Sequence, residues 1–343
     1  MSVPHDILVA MTEEKPAIRF ITSVYGKKYG GMLLSLLYSV TKSNPHARMS
    51  IFWEDISPAT RHLEKVFPQF DFIDTAHGIH GDLIDRIAHK TLLWADAAHR
   101  YRGENLVFVD VDMLVLKDIS HFFVEETFDL GFTYKDDEIY PINTGTFLAR
   151  ASEETEEFFT LWDKETHRIV NDAELRNKAT SRSYPYGAPD QMAFFTMIGY
   201  EKGKTSYKVS VGTQTLVCSG FPCTLLNETN SKPITDAMHI IHYKGGWHSI
   251  LLDGTDFTSR RPKKESWDMY QYYLRTATEA LHVYRERSNA KATLRDIGIR
   301  FPWYLRSNVS EKPFMYTLFR VWQKCLEPLR SIMLRWSRFR MSL

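Results

Sequence analysis

Apolar residues along the chain fall into strand-like runs that alternate with helix-like stripes. Ile18 to Val24, Met49 to Trp53 and Phe70 to Ile73 are short apolar runs of strand length. Helical patterns separate them. Met32 to Thr41 is apolar and closed by Asn44-Pro45. Ser57-Pro58 offers an N-cap with proline at the first helical position, ahead of a stripe of Leu63, Val66 and Phe67. His89 to Arg100 reads as a third helix, with Leu92, Leu93 and Ala97 facing inward, and it delivers the chain to Leu106-Val107-Phe108-Val109. An unbroken apolar run of that kind belongs at the centre of a parallel sheet, buried on both faces. Strand and helix alternating at this rhythm predict an α/β sheet covered by helices on both sides.

After residue 112 the pattern changes. Phe128 to Tyr134 and Ile142 to Ala149 are strand-like with no full helix between them, which predicts an antiparallel addition. Ser152 caps a helix whose first turn is acidic (Glu153, Glu154), as the helix dipole favours. Residues 171–189 are polar and rich in turn formers, so they read as a long functional or mobile loop. Asp190-Gln191 opens an apolar helix, Met192 to Ile198, and short strands follow as far as Ala237 to His248. From about residue 256 the chain turns helical, aromatic and basic, with Trp267, Tyr270, Leu274, Ala277, Leu281 and Tyr284 on one face. The expected organisation is a loose leader over 1–16, a catalytic domain over 17–255 and a helical extension over 256–343.

Composition narrows the partners. A net charge of +1 gives no bulk electrostatic case for nucleic acid. Three cysteines form a sparse, odd set that suits a reducing compartment, and Cys218 and Cys223 read as buried thiols. The acidic and polar start of the chain does not read as a signal peptide, and the longest apolar stretch, Met32 to Leu37, is too short to span a bilayer. The expected location is the cytoplasm.

The central run ends in Asp110-Val111-Asp112. Carboxylates two residues apart on an extended chain point to one side, where they repel, and a hard divalent cation relieves the repulsion. In open α/β sheets, ligands sit in the crevice beyond the carboxyl ends of the strands. The pattern reads as a metal-diphosphate site, and solvated strand-end aspartates are the plain alternative. Haloacid dehalogenase-type phosphatases also follow an apolar strand with two aspartates. They place the pair near the chain start and continue with Gly-Thr, whereas here it lies deep in the chain and Met113-Leu114 follows.

In order along the chain come Tyr29, Lys90, Asp110 and Asp112, Asn143-Thr144-Gly145, Asp190-Gln191 and His242-Tyr243-Lys244-Gly245. Each is weak alone, but the ordered set, spanning roughly residues 18–250, resembles the family 8 glycosyltransferases, the group of glycogenin and the bacterial lipooligosaccharide galactosyltransferases. The resemblance implies a GT-A type fold, a Rossmann-like nucleotide-diphospho-sugar transferase sheet, here with a helical C-terminal extension. It implies transfer of a hexose from a nucleotide sugar, a UDP-sugar, to an acceptor hydroxyl, with retention; the expected acceptor is a glycan or, if the basic C-terminal tail docks on a membrane, a lipid-linked glycan. Asp110, Asp112 and His242 are then the metal ligands, and mixed oxygen and nitrogen donors favour Mn2+ over Mg2+. His239 and His248 are the alternatives to His242, which the glycine pair after it favours.

By the same resemblance Lys90 pairs with the diphosphate and Tyr29 stacks on the uracil. Asn143 hydrogen-bonds sugar hydroxyls, with Gly145 allowing close approach. Asp190 and Gln191 hold the transferred sugar near its anomeric carbon, and Gly245 lets a phosphate reach the backbone. Plainer readings are a core histidine, a solvated lysine, helix-start packing for Tyr29 and an N-cap for Asp190. The family continues His-x-x-Gly-x-x-Lys-Pro-Trp, but this chain has Gly246-Trp247-His248, so the diphosphate-contacting role passes to Lys244 or His248. Gly26 and Lys27 stand where the family's uridine loop is acidic or amidic. Inversion would need a base on the acceptor side, for which Asp136 and Asp137 are the candidates.

The tail adds a surface. Leu318, Trp322, Cys325, Leu329, Ile332 and Trp336 form one helical stripe, and Arg320, Lys324, Arg335 and Arg338 fall opposite. Six Lys or Arg against Glu327 give residues 313–343 a net charge of +5. That is the pattern of a helix docking on an anionic membrane surface, which would make the protein peripheral on the inner face of the membrane. A terminal helix packed on the domain fits the pattern equally. A phosphatase using Asp110 as nucleophile and a degenerate GT-A domain acting as a membrane-docked scaffold are the competing functions.

Overall fold

The computed structural model describes residues 16–75, 83–135, 140–181, 183, 186–229, 233–244, 251 and 266–288. The leader up to residue 15, Asp136 and Asp137, Gly245 to His248 and the basic tail lie outside the described residues.

Ten strands are described: β1 (Ile18–Tyr25), β2 (Arg48–Glu54), β3 (Asp71–Asp74), β4 (Asn105–Val109), β5 (Met113–Val115), β6 (Leu130–Tyr134), β7 (Ile142–Arg150), β8 (Ser206–Val211), β9 (Gln214–Pro222) and β10 (Ile240–His242). The helices are α1 (Gly30–Ser43), α2 (Pro58–Arg61), α3 (Leu63–Val66), α4 (Leu83–Arg100), α5 (Phe122–Glu125), α6 (Glu153–Asn171), α7 (Ala173–Thr180), α8 (Pro189–Met197), α9 (Cys223–Leu226) and α10 (Ser266–Ser288).

Eight strands form one sheet in the order β3-β2-β1-β4-β7-β6-β9-β8. The first four pair in parallel, and β7 then joins β4 antiparallel, as the change of pattern after residue 112 predicts. β6 runs antiparallel to β7, β9 runs parallel to β6, and β8 closes the sheet antiparallel to β9. Two antiparallel steps return β6 to the direction of β4, so their carboxyl ends share one edge. β5 leaves that edge and pairs with β10 in a separate two-stranded sheet.

The central run is buried on both faces. Val107 and Val109 enter a core shared with α1 and α10, while Leu106 and Phe108 enter a second core with α4, α6 and α8. The second core is aromatic: Trp94 packs on Phe108 at 4.9 Å and on Trp162 at 5.5 Å between ring centroids. Trp162 Nε1 donates to the Asp190 carbonyl at 2.8 Å, which seats the start of α8 against α6. Cys218 and Cys223 are free and buried, and burial pushes their thiols up to about 12 and about 11.

Three elements differ from the sequence expectation, the first being the helix capped by Ser57, which is broken at His62 into α2 and α3. The helix ahead of β4 begins at Leu83 rather than His89. The polar stretch 171–189 is not a continuous loop, because α7 occupies Ala173–Thr180. Asp172 Oδ1 accepts from Glu174 N at 2.9 Å and Leu175 N at 3.0 Å and so caps that helix. Its one buried residue, Ala179, leaves no apolar stripe for a periodicity to reveal.

Candidate functional site

The site is built where β4 ends. Asp110 N donates to Gly145 O on β7 at 3.0 Å, and Tyr243 N donates to Asp112 O at 2.8 Å. These two bonds draw the end of β4, the start of β7 and the end of β10 together. His242 Nε2 lies 3.2 Å from Asp112 Oδ1 and 3.7 Å from Asp110 Oδ2. Ligand atoms of Asp110, Asp112 and His242 all fall within 4.8 Å of one another. Two carboxylates and an imidazole at that separation are a donor set for a divalent cation, and mixed oxygen and nitrogen donors suit manganese or a neighbouring transition metal. His239 points elsewhere: its ring bonds Ala237 O and lies tilted against His121, so of the described histidines His242 alone joins the pair.

Gly145 is needed for a reason the sequence does not show. A Cβ there would lie 2.7 Å from His242 Cε1 and 2.7 Å from Met113 Cε. The room beside Gly145 holds the imidazole and Met113, and any side chain would displace the ring that faces the two carboxylates.

A second set of charges adjoins the first. Lys90 Nζ lies 3.0 Å from Asp190 Oδ2 and 3.4 Å from Asp110 Oδ1, and it meets Thr144 O at 3.5 Å. Burial works to lower the Lys90 ammonium, but the Asp110 and Asp190 carboxylates outweigh it and hold it above the ordinary lysine range. Burial pushes Asp110 above the ordinary carboxylate range; Lys90 and His242 oppose the shift, and Asp112 and Asp190 add to it. Asp190 is not the N-cap of α8. That position is Ala188, and Asp190 sits in the first turn at 1% exposure. Its Oδ2 accepts from Thr144 Oγ1 at 2.7 Å.

Two buried polar atoms in this region have no partner, Asn143 Nδ2 and Asp190 Oδ1. The other end of the Asn143 amide accepts from Gly145 N at 3.1 Å. A buried group left unpaired costs about 1–3 kcal/mol, so one donor and one acceptor of this kind are ready for a hydroxyl-bearing ligand. Gln191 turns its amide nitrogen to the carbonyls of Ile142 and Tyr186, which ties α8 to the start of β7.

The outer residues are less enclosed. Tyr29 ends a short 3-10 turn, Lys27–Tyr29, where it is half-buried against the α1 side of the core with Lys28 Nζ 5.2 Å from its ring centroid. Gly26 opens that turn at φ 88°, a left-handed conformation that glycine takes without strain, which accounts for a glycine at this place in the loop. Lys244 follows β10. Burial, with the Lys135 ammonium adding to it, pulls Lys244 down to about 8. Gly245, the remaining expected site residue, lies outside the described residues.

The sequence reading passed over Asn227. It caps the end of α9, is fully buried, and its Oδ1 lies 2.8 Å from His242 Nδ1. Nothing local marks it, because Asn227-Glu228-Thr229 reads as polar loop and the contact reaches across 15 residues of chain.

Residues 101–247 match the family model described as nucleotide-diphospho-sugar transferase. Over that region the chain is similar to nucleotide-diphospho-sugar transferases. The match carries the transferase reading over the phosphatase one, and the mixed sheet with helices on both faces is the expected GT-A type α/β architecture. Among solved structures the chain is similar to the glycosyltransferase GlyE of Streptococcus pneumoniae TIGR4, at 11% identity and TM-score 0.49 over 79% of this chain and 63% of that one. This chain therefore spans less than two thirds of GlyE's length. It is also similar to an active-site mutant of LgtC, at 15% identity and TM-score 0.46, over 76% of this chain and 95% of that one. Comparison with curated proteins by sequence returned no match.

Proposed function

We propose that this protein is a divalent-metal-dependent hexosyltransferase that moves a sugar from a nucleotide diphosphate sugar, a UDP-sugar, to an acceptor hydroxyl with retention of configuration. The observation that carries the reading is the convergence of Asp110, Asp112 and His242 within 4.8 Å, joined through Lys90 to a buried, half-paired Asp190. A divalent cation bound by the three ligands supplies positive charge to a diphosphate leaving group.

The chain's own residues do the rest. Lys90 adds a fixed ammonium beside that charge, and Lys244 stands on the β10 side in the place of the family's missing lysine. Asn143 Nδ2 donates to a sugar hydroxyl and Asp190 Oδ1 accepts from one, which orients the hexose. Gln191, tied to Ile142 and Tyr186, borders the anomeric carbon together with Asp190. Tyr29 covers the base. The acceptor is a glycan, and the basic stripe of residues 313–343 favours one linked to lipid at an anionic surface.

Incubation with Mn2+ and a panel of nucleotide sugars, followed by nucleoside diphosphate release, tests the reading. Asp110→Ala or Asp112→Ala should lower turnover by roughly two to four orders of magnitude. Chelator should abolish release and Mn2+ should restore it, whereas full activity in chelator overturns the metal assignment. Proton NMR of the first product should show the donor's anomeric configuration, and an inverted anomer ends the retaining mechanism.

A further inference from the structure

The hydrogen bonds around Asn227 leave it one orientation. Its Nδ2 donates to Thr133 Oγ1 at 2.8 Å and faces the Asn143 carbonyl at 3.3 Å. Thr133 Oγ1 spends its own proton on the same Asn143 carbonyl, at 2.5 Å, so toward Asn227 it can only accept. The amide nitrogen therefore faces two acceptors, and Oδ1 is the end turned to His242 Nδ1, at 2.8 Å. An amide oxygen only accepts, so Nδ1 must carry the proton. In a neutral imidazole Nε2 is then a bare lone pair, aimed at Asp112 Oδ1 and Asp110 Oδ2. A lone pair facing two carboxylates is unfavourable until a metal cation, or a second proton that makes the ring an imidazolium, sits between them.

The ring cannot evade this arrangement. His242 is 3% exposed, and the missing Cβ of Gly145 is the space its Cε1 edge fills. The register of β6 against β7 shifts between Phe132 and Thr133, and this irregularity lies at the threonine that completes the network, opposite Asn143. Asn227, Thr133 and Asn143 thus form a closed buried set whose outward product is the protonation pattern of one imidazole.

We propose that Asn227 is a positioning residue that holds His242 in its Nδ1–H tautomer and thereby sets the divalent-cation affinity of the site. The proposal rests on the metal-dependent reading above and adds to it a residue outside the ligand set. Outer-sphere partners of metal-bound histidines orient the ring and fix the tautomer, and their loss typically costs about 10–100-fold in metal affinity.

The test uses the full chain with 15N-labelled histidine, His242→Gln to assign the resonance, and Asn227→Leu and Asn227→Asp as variants. In metal-free wild type at pH 8, two-bond 15N–1H spectra should show His242 protonated at Nδ1. Asn227→Asp, whose carboxylate also accepts from Nδ1, should keep that pattern, and Asn227→Leu should lose it. By electron paramagnetic resonance of free Mn2+, Asn227→Leu should bind about 10–100-fold more weakly than wild type, and Asn227→Asp within about threefold. Wild-type His242 protonated at Nε2 and bare at Nδ1 overturns the proposal, whatever the protein's function. So does Asn227→Leu binding Mn2+ as wild type does, an outcome that leaves the metal site standing. Wild type that binds no Mn2+ while showing the Nδ1–H tautomer overturns the metal reading, and the affinity half of the proposal falls with it. If Asn227→Leu does not fold, the wild-type spectrum and the Asn227→Asp affinity still decide.

Discussion

Lys90 stands between two carboxylates from different parts of the chain, Asp110 at the end of β4 and Asp190 in the first turn of α8. Whatever ligand it meets, such a residue also compensates both carboxylates, which without it remain enclosed and uncompensated. Breaking an enclosed ion pair by removing one partner costs about 3–5 kcal/mol. Lys90→Met should therefore lower the urea midpoint. Mn2+ should recover part of the loss in the variant, because a cation bound to the folded state alone stabilises it by mass action and compensates Asp110. An unchanged midpoint would mean that the two carboxylates are relieved in some other way.

At the scale of elements, α10 joins the catalytic region through polar ties as well as apolar packing. Tyr243 Oη donates to Met269 O at 2.9 Å, one residue past His242, and Tyr284 Oη donates to Ala59 O at 3.0 Å. Tyr38 Oη and Lys42 Nζ on α1 both donate to Glu279 Oε2, each at 3.0 Å. Burial pushes the Glu279 carboxyl up, but those two hydrogen bonds and the Lys42 charge outweigh it and hold the group below the ordinary glutamate value of 4.5. A carboxylate lowered on folding contributes stability above its unfolded pKa and loses it as pH falls through the folded value. Glu279→Gln should therefore melt below wild type at pH 7, and the gap should close on acidification below about 4.5. Partial exposure keeps the gap small, under about 1 kcal/mol. Melting curves of the two proteins from pH 3 to 8 check this, and a gap that widens in acid would reverse the sign.

For the whole molecule, the candidate site occupies the shared carboxyl edge of β4 and β6, and none of the described helices is long and apolar enough to cross a membrane. If the protein reaches lipid, the attraction lies in residues 313–343, whose net +5 exceeds the +1 of the whole chain. About 1 kcal/mol per basic residue near anionic lipid is enough for salt-sensitive docking. Full-length protein should sediment with anionic vesicles at low salt and release at high salt, and a chain ending at Lys312 should stay in solution. Binding by the shortened chain would move the surface elsewhere.

Local chemistry in the sequence was enough for the parallel half of the sheet, the Ser57 and Ser152 caps, and the aspartate pair at the end of β4, because each depends on residues close together in the chain. The apolar run of β4 and the two carboxylates after it carry their meaning within seven residues, Leu106 to Asp112. That β6 pairs with β9, and that β5 leaves the main sheet for β10, depended on partners 88 residues apart (Leu130 and Cys218) and 125 residues apart (Val115 and Ile240), for which no local periodicity exists. The same holds inside the site. Asp110, Asp112 and His242 were legible as types in order, and the glycine pair after His242 favoured it over His239, but what seats its ring beside the aspartates is the strand pairing that puts His242 opposite Met113. Gly145 looked like room for a sugar until the imidazole was seen in that space, and Asn227 looked like nothing at all. A side chain that acts by holding another is defined by a contact, and only the folded chain makes the contact.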